Sequence, residues 1–354
     1  MESIYYVLSF ACHRKCRHCY EDRFRPYART ELQRLTAQAK EAFPRVIANL
    51  PDHMRYLDLE RRLPGGGLAE RLGRIIVSGG EVLMDPVREE ILYPALEALR
   101  DKYAKCGGVR LVVQTTGDLV TEKIIAELLE RDVWMISVAG MDDFHVGLEG
   151  DRREPLRQKL IAWFEAAGMA ASGVKAGTRR WHEEEGPVYS FFGSTPDSWI
   201  GRLWPRGRAW TNGLSSATLE DNFCNRWSGG LNFLNHRYSG SEVSIEPTGD
   251  VYPCCLKTRH PLGNVAEEKL TDILDSLACH PAFQAINLGK PERMGLAHGW
   301  SVDRFLQRCE TQTPQGESYR NLCIGCDAFH AEVLGPIIEE LRQRRLGRSG
   351  DMTQ

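Results

Sequence analysis

Three cysteines, Cys12, Cys16 and Cys19, stand within eight residues in the run Ala11-Cys12-His13-Arg14-Lys15-Cys16-Arg17-His18-Cys19-Tyr20, a C-x3-C-x2-C spacing. An apolar run rich in strand formers, Ile4–Phe10, leads directly into it. Packing gives no reason to crowd three thiols on one loop. As thiolates they repel one another and require a cation. A structural zinc site takes four protein ligands, so His13 or His18 would have to supply the fourth. A four-iron cluster has four iron corners, and three cysteines leave one iron open to another ligand. Either way, the first strand must end in a metal-binding loop.

Such a loop belongs in a reducing compartment, where clustered cysteines hold metal more often than disulfides. The N-terminus MESIYYVLSF lacks a basic region, a long apolar core and a small-residue cleavage site. No run of eighteen apolar residues occurs, so the sequence predicts no membrane span and a cytoplasmic location. The net charge is −3 and there is no long basic run, which gives no reason to expect nucleic acid.

Along the chain, strand-like and helix-like segments alternate. Arg74–Ser78, Val109–Thr115, Trp134–Val138 and Val188–Phe192 read as strands. Ala28–Asn49, Pro86–Lys102, Thr121–Arg131 and Glu154–Ala167 read as helices. This rhythm predicts a parallel sheet with helical crossovers. Pro64-Gly65-Gly66-Gly67 marks a loop in the long connection before the second strand. After about Arg208 the segments shorten. Glu242–Ile245 and Asp250–Tyr252 read as two strands joined through Pro247-Thr248-Gly249, Glu267–Leu277 as a short helix, Ala328–Arg345 as a terminal helix, and Leu346–Gln354 as a loose tail. The expected divisions are 1–210, 211–335 and 336–354.

The C-x3-C-x2-C loop after a first strand is similar to the signature of the radical SAM superfamily. The resemblance implies a partial (β/α) barrel over residues 1–210 and a [4Fe–4S] cluster on Cys12, Cys16 and Cys19. It further implies that the open iron binds S-adenosylmethionine (SAM), whose reductive cleavage yields a 5′-deoxyadenosyl radical. The residue before the last cysteine of this motif lies against adenine, a place held here by His18. Arg74–Glu81, RIIVSGGE, resembles the family's Gly-Gly-Glu motif. Gly79 and Gly80 allow close backbone approach to a ligand, and the resemblance gives Glu81 to the methionine ammonium. Val82 stands where the family often has proline. Val112–Gly117 resembles the third strand, with Thr116 replacing an asparagine, and Ile136–Gly140 the fourth. Ser137 is thereby a cofactor contact, while Ala139 replaces the aspartate that meets ribose, leaving Asp142 or Asp143 to compensate.

A second set of cysteines follows. Gly249–Cys254 gives G-x4-C, Cys323 and Cys326 form a C-x2-C knuckle, and Cys224 precedes both. The C-x2-C element also occurs in zinc sites. The pattern resembles the twitch domain, a shortened SPASM domain, and implies a small cysteine-rich α+β unit with one auxiliary [4Fe–4S] cluster on Cys224, Cys254, Cys323 and Cys326. Cys255, Cys279 and Cys309 are then spare thiols. A non-catalytic zinc or iron–sulfur protein and an electron carrier are the rival classes. Iron content excludes a zinc protein, and SAM cleavage excludes a carrier.

Between the clusters, Trp181–Trp210 holds Trp181, Tyr189, Trp199, Trp204 and Trp210 together with Arg206 and Arg208. The arginines are expected to bind an anionic group of a substrate, and His145 to line the site. The expected partners are a small-molecule or peptide substrate and a reductant such as flavodoxin or ferredoxin. The reaction begins by hydrogen abstraction and ends in oxidation, epimerisation, cross-linking or rearrangement. The first strand starts at about Ile4, which leaves no leader-binding module before it.

Overall fold

The computed structural model describes residues 1–174, 180–195, 201–226 and 228–351. The strands are β1 (Ser3–Ser9), β2 (Arg55–Arg62), β3 (Leu68–Leu72), β4 (Arg74–Gly79), β5 (Arg110–Thr115), β6 (Val133–Val138), β7 (Ala170–Ala171), β8 (Val188–Phe191), β9 (Glu242–Ile245), β10 (Asp250–Tyr252), β11 (Gly263–Asn264), β12 (Glu310–Gln312) and β13 (Ser318–Arg320). The helices include α1 (Arg29–Asn49), α2 (Tyr93–Ala104), α3 (Glu122–Leu129), α4 (Arg153–Ala166) and α5 (Gly207–Thr211). After them come α6 (Leu270–Leu277), α7 (Pro281–Asn287), α8 (Val302–Gln307), α9 (Leu322–Phe329) and α10 (Gly335–Asp351).

Nine strands form one sheet in the order β11-β10-β9-β1-β4-β5-β6-β8-β7. β1, β4, β5, β6 and β8 run parallel to their neighbours. Parallel strands cannot be joined by tight turns, so helices cross over between them. The helices cover one face of the sheet. Ile4, Tyr6 and Leu8 of β1, Ile75 and Val77 of β4 and Val113 of β5 pack in one core with Val46 of α1 and Leu96 of α2. On the other face, Ile76, Val112, Met135 and Val188 form an inner layer against Tyr5 and Trp134. Burial on both faces explains why these strands read as continuous apolar runs. The result is a partial (β/α) barrel, as the resemblance implies, built on the parallel sheet with helical crossovers that the alternation predicts.

The segment after residue 210 extends the same sheet. β9 pairs in parallel with β1, from Ser3 opposite Glu242 to Tyr6 opposite Ile245, and β10 and β11 follow antiparallel. The long connection before β4 holds the β2–β3 hairpin, with the Pro64–Gly67 loop at its tip. The helix expected over Pro86–Lys102 opens with a wide turn at Arg88–Leu92 before α2. The tail expected after Leu346 is corrected: α10 continues to Asp351. Arg345 anchors it, buried, with Nε 2.6 Å from Glu268 and Nη1 2.8 Å from Ser276 Oγ. Among the described residues, no helix is long and apolar enough to cross a membrane.

Candidate active site

The C-terminal ends of β1, β4, β5 and β6 surround a cleft of about 1150 Å³, counting its open mouth. In parallel α/β barrels this is the end where sites gather. Cys12, Cys16, His18 and Cys19 line it from the loop after β1, and Gly79 and Gly80 from the end of β4. The loop is pressed onto the sheet. Glu81 N–H donates to Ala11 O at 2.9 Å and Gly80 N–H to Ser9 O at 3.0 Å. A Cβ on Gly80 would lie 2.3 Å from Ala11 O and 2.7 Å from Cys12 Cβ. Only glycine lets the strand end lie against the cysteine loop.

Two further clamps set the loop. Asp118, just past β5, accepts from His13 Nε2 at 2.6 Å and from Arg14 Nη2 at 2.8 Å. Asp118 thereby fixes the His13 ring through Nε2, while its Nδ1 is buried without a hydrogen-bond partner. Arg208 is buried and donates to loop carbonyls: Nε to Cys16 O at 2.8 Å, Nη1 to Asp22 O at 3.0 Å and Nη2 to Phe24 O at 2.6 Å. Gly207, at φ +52°, allows this approach, since a Cβ there would sit 2.5 Å from Tyr20 O.

The three thiols are shielded from solvent. Burial pushes Cys12 up to about 12 and Cys19 to about 11, and raises Cys16. At neutral pH they become thiolates only against a positive centre, which suits a cluster and not three free sulfurs. Burial, with His145 beside it, lowers His18 to about 4, so its ring is neutral at pH 7. It stands 5.3 Å from the Phe144 ring and 4.7 Å from the His145 ring. His145 lines the cleft as expected, and its Nδ1 lies 2.8 Å from Asp142 Oδ1. Asp142 also accepts from the N–H groups of Phe144, His145 and Ser194.

Several expected roles change. Asp142 accepts from these protein donors, and Asp143, exposed, pairs with Arg153 at 2.5 Å. Ser137 bonds Ser190 Oγ at 2.9 Å across to β8 and is not among the residues lining the cleft. Glu81, expected at the methionine ammonium, is buried beneath the cleft. Its oxygens accept from Thr115 Oγ1 at 2.9 Å, Thr116 N at 2.7 Å, Thr116 Oγ1 at 2.7 Å and Leu83 N at 3.0 Å. Glu81 thus ties the end of β4 to the end of β5. Glu81→Gln places a donor where Thr116 N–H now donates and is expected to destabilise the fold by about 1–3 kcal/mol. Urea denaturation measures this, and wild-type stability in the variant would contradict the assigned contacts.

The arginines expected to hold a substrate anion are structural. Arg208 is spent on carbonyls, and Arg206 donates to Leu256 O at 3.2 Å and pairs with Asp327 at 2.9 Å. Trp181 lies at the opposite end of the barrel, between Tyr56 and Trp134, and Tyr189 stacks on Phe164. Trp210 packs on Tyr319, and Trp199 lies outside the described residues. Among the described residues of this segment, Phe192, Gly193, Ser194, Arg202, Leu203, Trp204, Arg208 and Ala209 line the cleft.

Cys224, Cys254, Cys323 and Cys326 come together beyond the cleft, close enough that each sulfur's charge bears on others. Asn222 and Asn321 each accept from the N–H two residues on, that of Cys224 and of Cys323, both at 2.9 Å. These caps turn the chain sharply at two of the four thiols. Burial raises all four thiols, Cys254 to about 12 and Cys323 to about 11, and Arg206 stands beside them. A pairwise network joins the two cysteine sites. Lys257 lies 2.5 Å from Glu21 and 2.6 Å from Glu246, and Arg23 bridges the same two carboxylates.

Among the thiols expected to be spare, Cys279 is exposed and Cys309 is buried with its thiol on Phe305 O. Cys255 differs: it is 5% exposed and lines the cleft beside Tyr5, Tyr20 and Trp204. Its only sequence signal was adjacency to Cys254. Tyr5 was visible only as an alternate position of β1, facing inward.

No curated protein matches the chain. Solved structures resemble it at low identity. BtrN in complex with AdoMet and 2-DOIA is 14% identical, with 90% of this chain and 98% of that one covered and a TM-score of 0.41. AnSMEcpe with bound AdoMet and a peptide is 15% identical, with 99% of each covered and a TM-score of 0.42. SuiB of Streptococcus suis, bound to precursor peptide SuiA, is 14% identical over 80% of this chain and 66% of that one, with a TM-score of 0.36. The family model for the Radical SAM superfamily matches residues 6–172, and that for the SPASM iron–sulfur cluster-binding domain matches residues 237–327. Together with the cysteine loop and its Gly-Gly-Glu strand end, these matches make the chain a member of the radical SAM superfamily with a SPASM-type domain after its barrel.

Proposed function

We propose that Cys12, Cys16 and Cys19 hold a [4Fe–4S] cluster facing the cleft, and that Cys224, Cys254, Cys323 and Cys326 hold an auxiliary [4Fe–4S] cluster behind its far wall. The enzyme then abstracts a hydrogen atom from a small-molecule or peptide substrate in the cleft. The observation that carries this reading is the shared cleft: the three loop thiols, Gly79 and Gly80 line one part of it, and Cys255, next to Cys254, lines another. When bound, the first cluster and SAM supply a one-electron cleavage that yields the 5′-deoxyadenosyl radical.

The chain's own residues do the rest. Gly79 and Gly80 let the methionine end of SAM approach backbone. The neutral His18 ring offers a face to a flat base. Glu81 holds the floor by joining β4 to β5. Tyr5, Phe24, Trp204 and Leu256 wall the cleft with apolar surface that excludes water. The substrate sits against these residues, and an outcome of oxidation, epimerisation or rearrangement depends on what they present to it. The reductant is a protein of flavodoxin or ferredoxin type.

Iron content tests the two-cluster reading. Protein reconstituted without oxygen should carry roughly eight irons. A variant with Cys12, Cys16 and Cys19 all changed to Ala should keep about half. Retained zinc with no iron in that variant would overturn the auxiliary cluster.

A further inference from the structure

The loop that carries the three thiols also reaches the surface. Lys15 and Arg17 flank Cys16 and are both exposed. Neither makes an ion pair among the described residues, in contrast with Arg14 on Asp118 and Arg23 on Glu21 and Glu246. In the loop after β6 stands Val146, 46% exposed, one of few large apolar side chains so open to solvent among the described residues. Its chain neighbours lie against the cysteine loop: the His145 ring is 4.7 Å from that of His18, and a Cβ on Gly147 would lie 3.2 Å from Arg14 Nη1. The carboxylates of that loop are occupied: Glu149 accepts from Gly147 N–H and faces Arg152, and Asp143 pairs with Arg153. Asn212, the nearest residue from α5, is neutral and donates to Arg17 O. The face is therefore a small apolar centre beside the loop that carries Cys16, with two uncompensated cations flanking that cysteine, on a chain whose net charge is −3.

We propose that the Lys15–Val146–Arg17 face is the docking surface for an acidic one-electron-donor protein, which delivers its electron through the turn at Cys16 that the two cations flank. The inference rests on the assignment of Cys16 as a cluster ligand. Charge next to the redox centre steers an acidic partner and raises the encounter rate, while the apolar centre gives a short-lived fit. Interfaces of electron-transfer partners are small and transient, so two cations and one apolar side chain suffice to orient one. The carboxylates already paired on this face do not repel the partner.

The test uses reduced flavodoxin as the probe and formation of 5′-deoxyadenosine from SAM as the readout, with excess dithionite as a small reductant that needs no docking surface. In K15E/R17E the flavodoxin-driven rate at low donor concentration should fall about tenfold or more. The wild-type rate should drop as salt rises from ~50 to ~300 mM, and this dependence should flatten or invert in the variant. Dithionite-driven cleavage should be equal in both. If charge reversal costs iron, the neutral pair K15Q/R17Q carries the same comparison. Equal flavodoxin rates and salt slopes in variant and wild type would overturn the docking face. So would a flavodoxin that fails to reduce wild-type protein which dithionite reduces. A wild-type protein that makes no 5′-deoxyadenosine even with dithionite would instead refute the cluster assignment beneath it.

Discussion

Replacing any one of Cys12, Cys16 and Cys19 with Ala is expected to bring dithionite-driven 5′-deoxyadenosine formation below detection. The three thiols sit on one loop whose backbone is pinned at Ala11, Cys16 and Cys19, so no neighbouring side chain can swing in to replace a lost sulfur. His13 is held by Asp118 at 2.6 Å, and Arg14, Lys15 and Arg17 are cations that cannot ligate iron. His13 and His18 each keep an unpartnered ring nitrogen, Nδ1, but Asp118 holds the His13 ring through Nε2 and the His18 ring lies against Phe144 and His145. A cluster with two cysteines is expected to be lost or to have no single open iron. The measurement is 5′-deoxyadenosine by chromatography after anaerobic reconstitution, with iron content alongside. Undiminished product from any one variant would remove that cysteine from the assignment.

Arg208→Ala is expected to have nearly as large an effect, although Arg208 is about 190 residues away in sequence and ligates nothing. Its guanidinium satisfies the carbonyls of Cys16, Asp22 and Phe24, and its own N–H donates to Cys19 O at 2.8 Å. Hydrogen bonds from a charged donor contribute about 1.5–3 kcal/mol each, and the buried carbonyls left behind would be unpaired. The loop should then loosen, with loss of the first cluster and of SAM cleavage. The auxiliary site has its own supports in Asn222, Asn321 and Arg206 and should stay loaded, so the variant should keep about half its iron. Arg208→Lys should not rescue it, because one ammonium cannot fork to three separated carbonyls. Full iron and full cleavage in Arg208→Ala would show that the loop stands without its clamp.

Cys255 faces into the cleft. It is the one thiol outside the two cysteine sets that the cleft exposes to a bound molecule among the described residues. Tyr5, bonded to Ser78 Oγ at 2.8 Å, and Tyr20 stand next to it. The wall on the auxiliary side is thus built of oxidisable side chains, whereas the wall toward β6 presents His18 and His145.

Local sequence determined the elements whose physics is local. The strand run before Cys12, the buried strand ending in Gly79-Gly80, and the long amphipathic α1 and α4 follow from apolar periodicity and from turn and cap residues. The metal loops were legible because three or four thiols at short spacing have few uses. Short elements such as α7, α8 and the β12–β13 hairpin were not legible, because six or seven residues carry no periodicity to read. Side-chain roles divided the same way. A cysteine's chemistry travels with it, and Cys12, Cys16 and Cys19 stand together on the cleft as their spacing places them. A buried arginine or carboxylate does whatever its neighbours leave unsatisfied, and those neighbours come from distant segments. Arg206 and Arg208 looked like anion binders until the fold placed carbonyls and Asp327 around them. Glu81 and Asp142 looked like ligand contacts until Thr115, Thr116, Ser194 and His145 filled their oxygens. Only the tertiary structure decides this, because hydrogen-bond partners of a buried polar group must be found within the protein, and which groups are buried together is set by the sheet order and not by the sequence next to them.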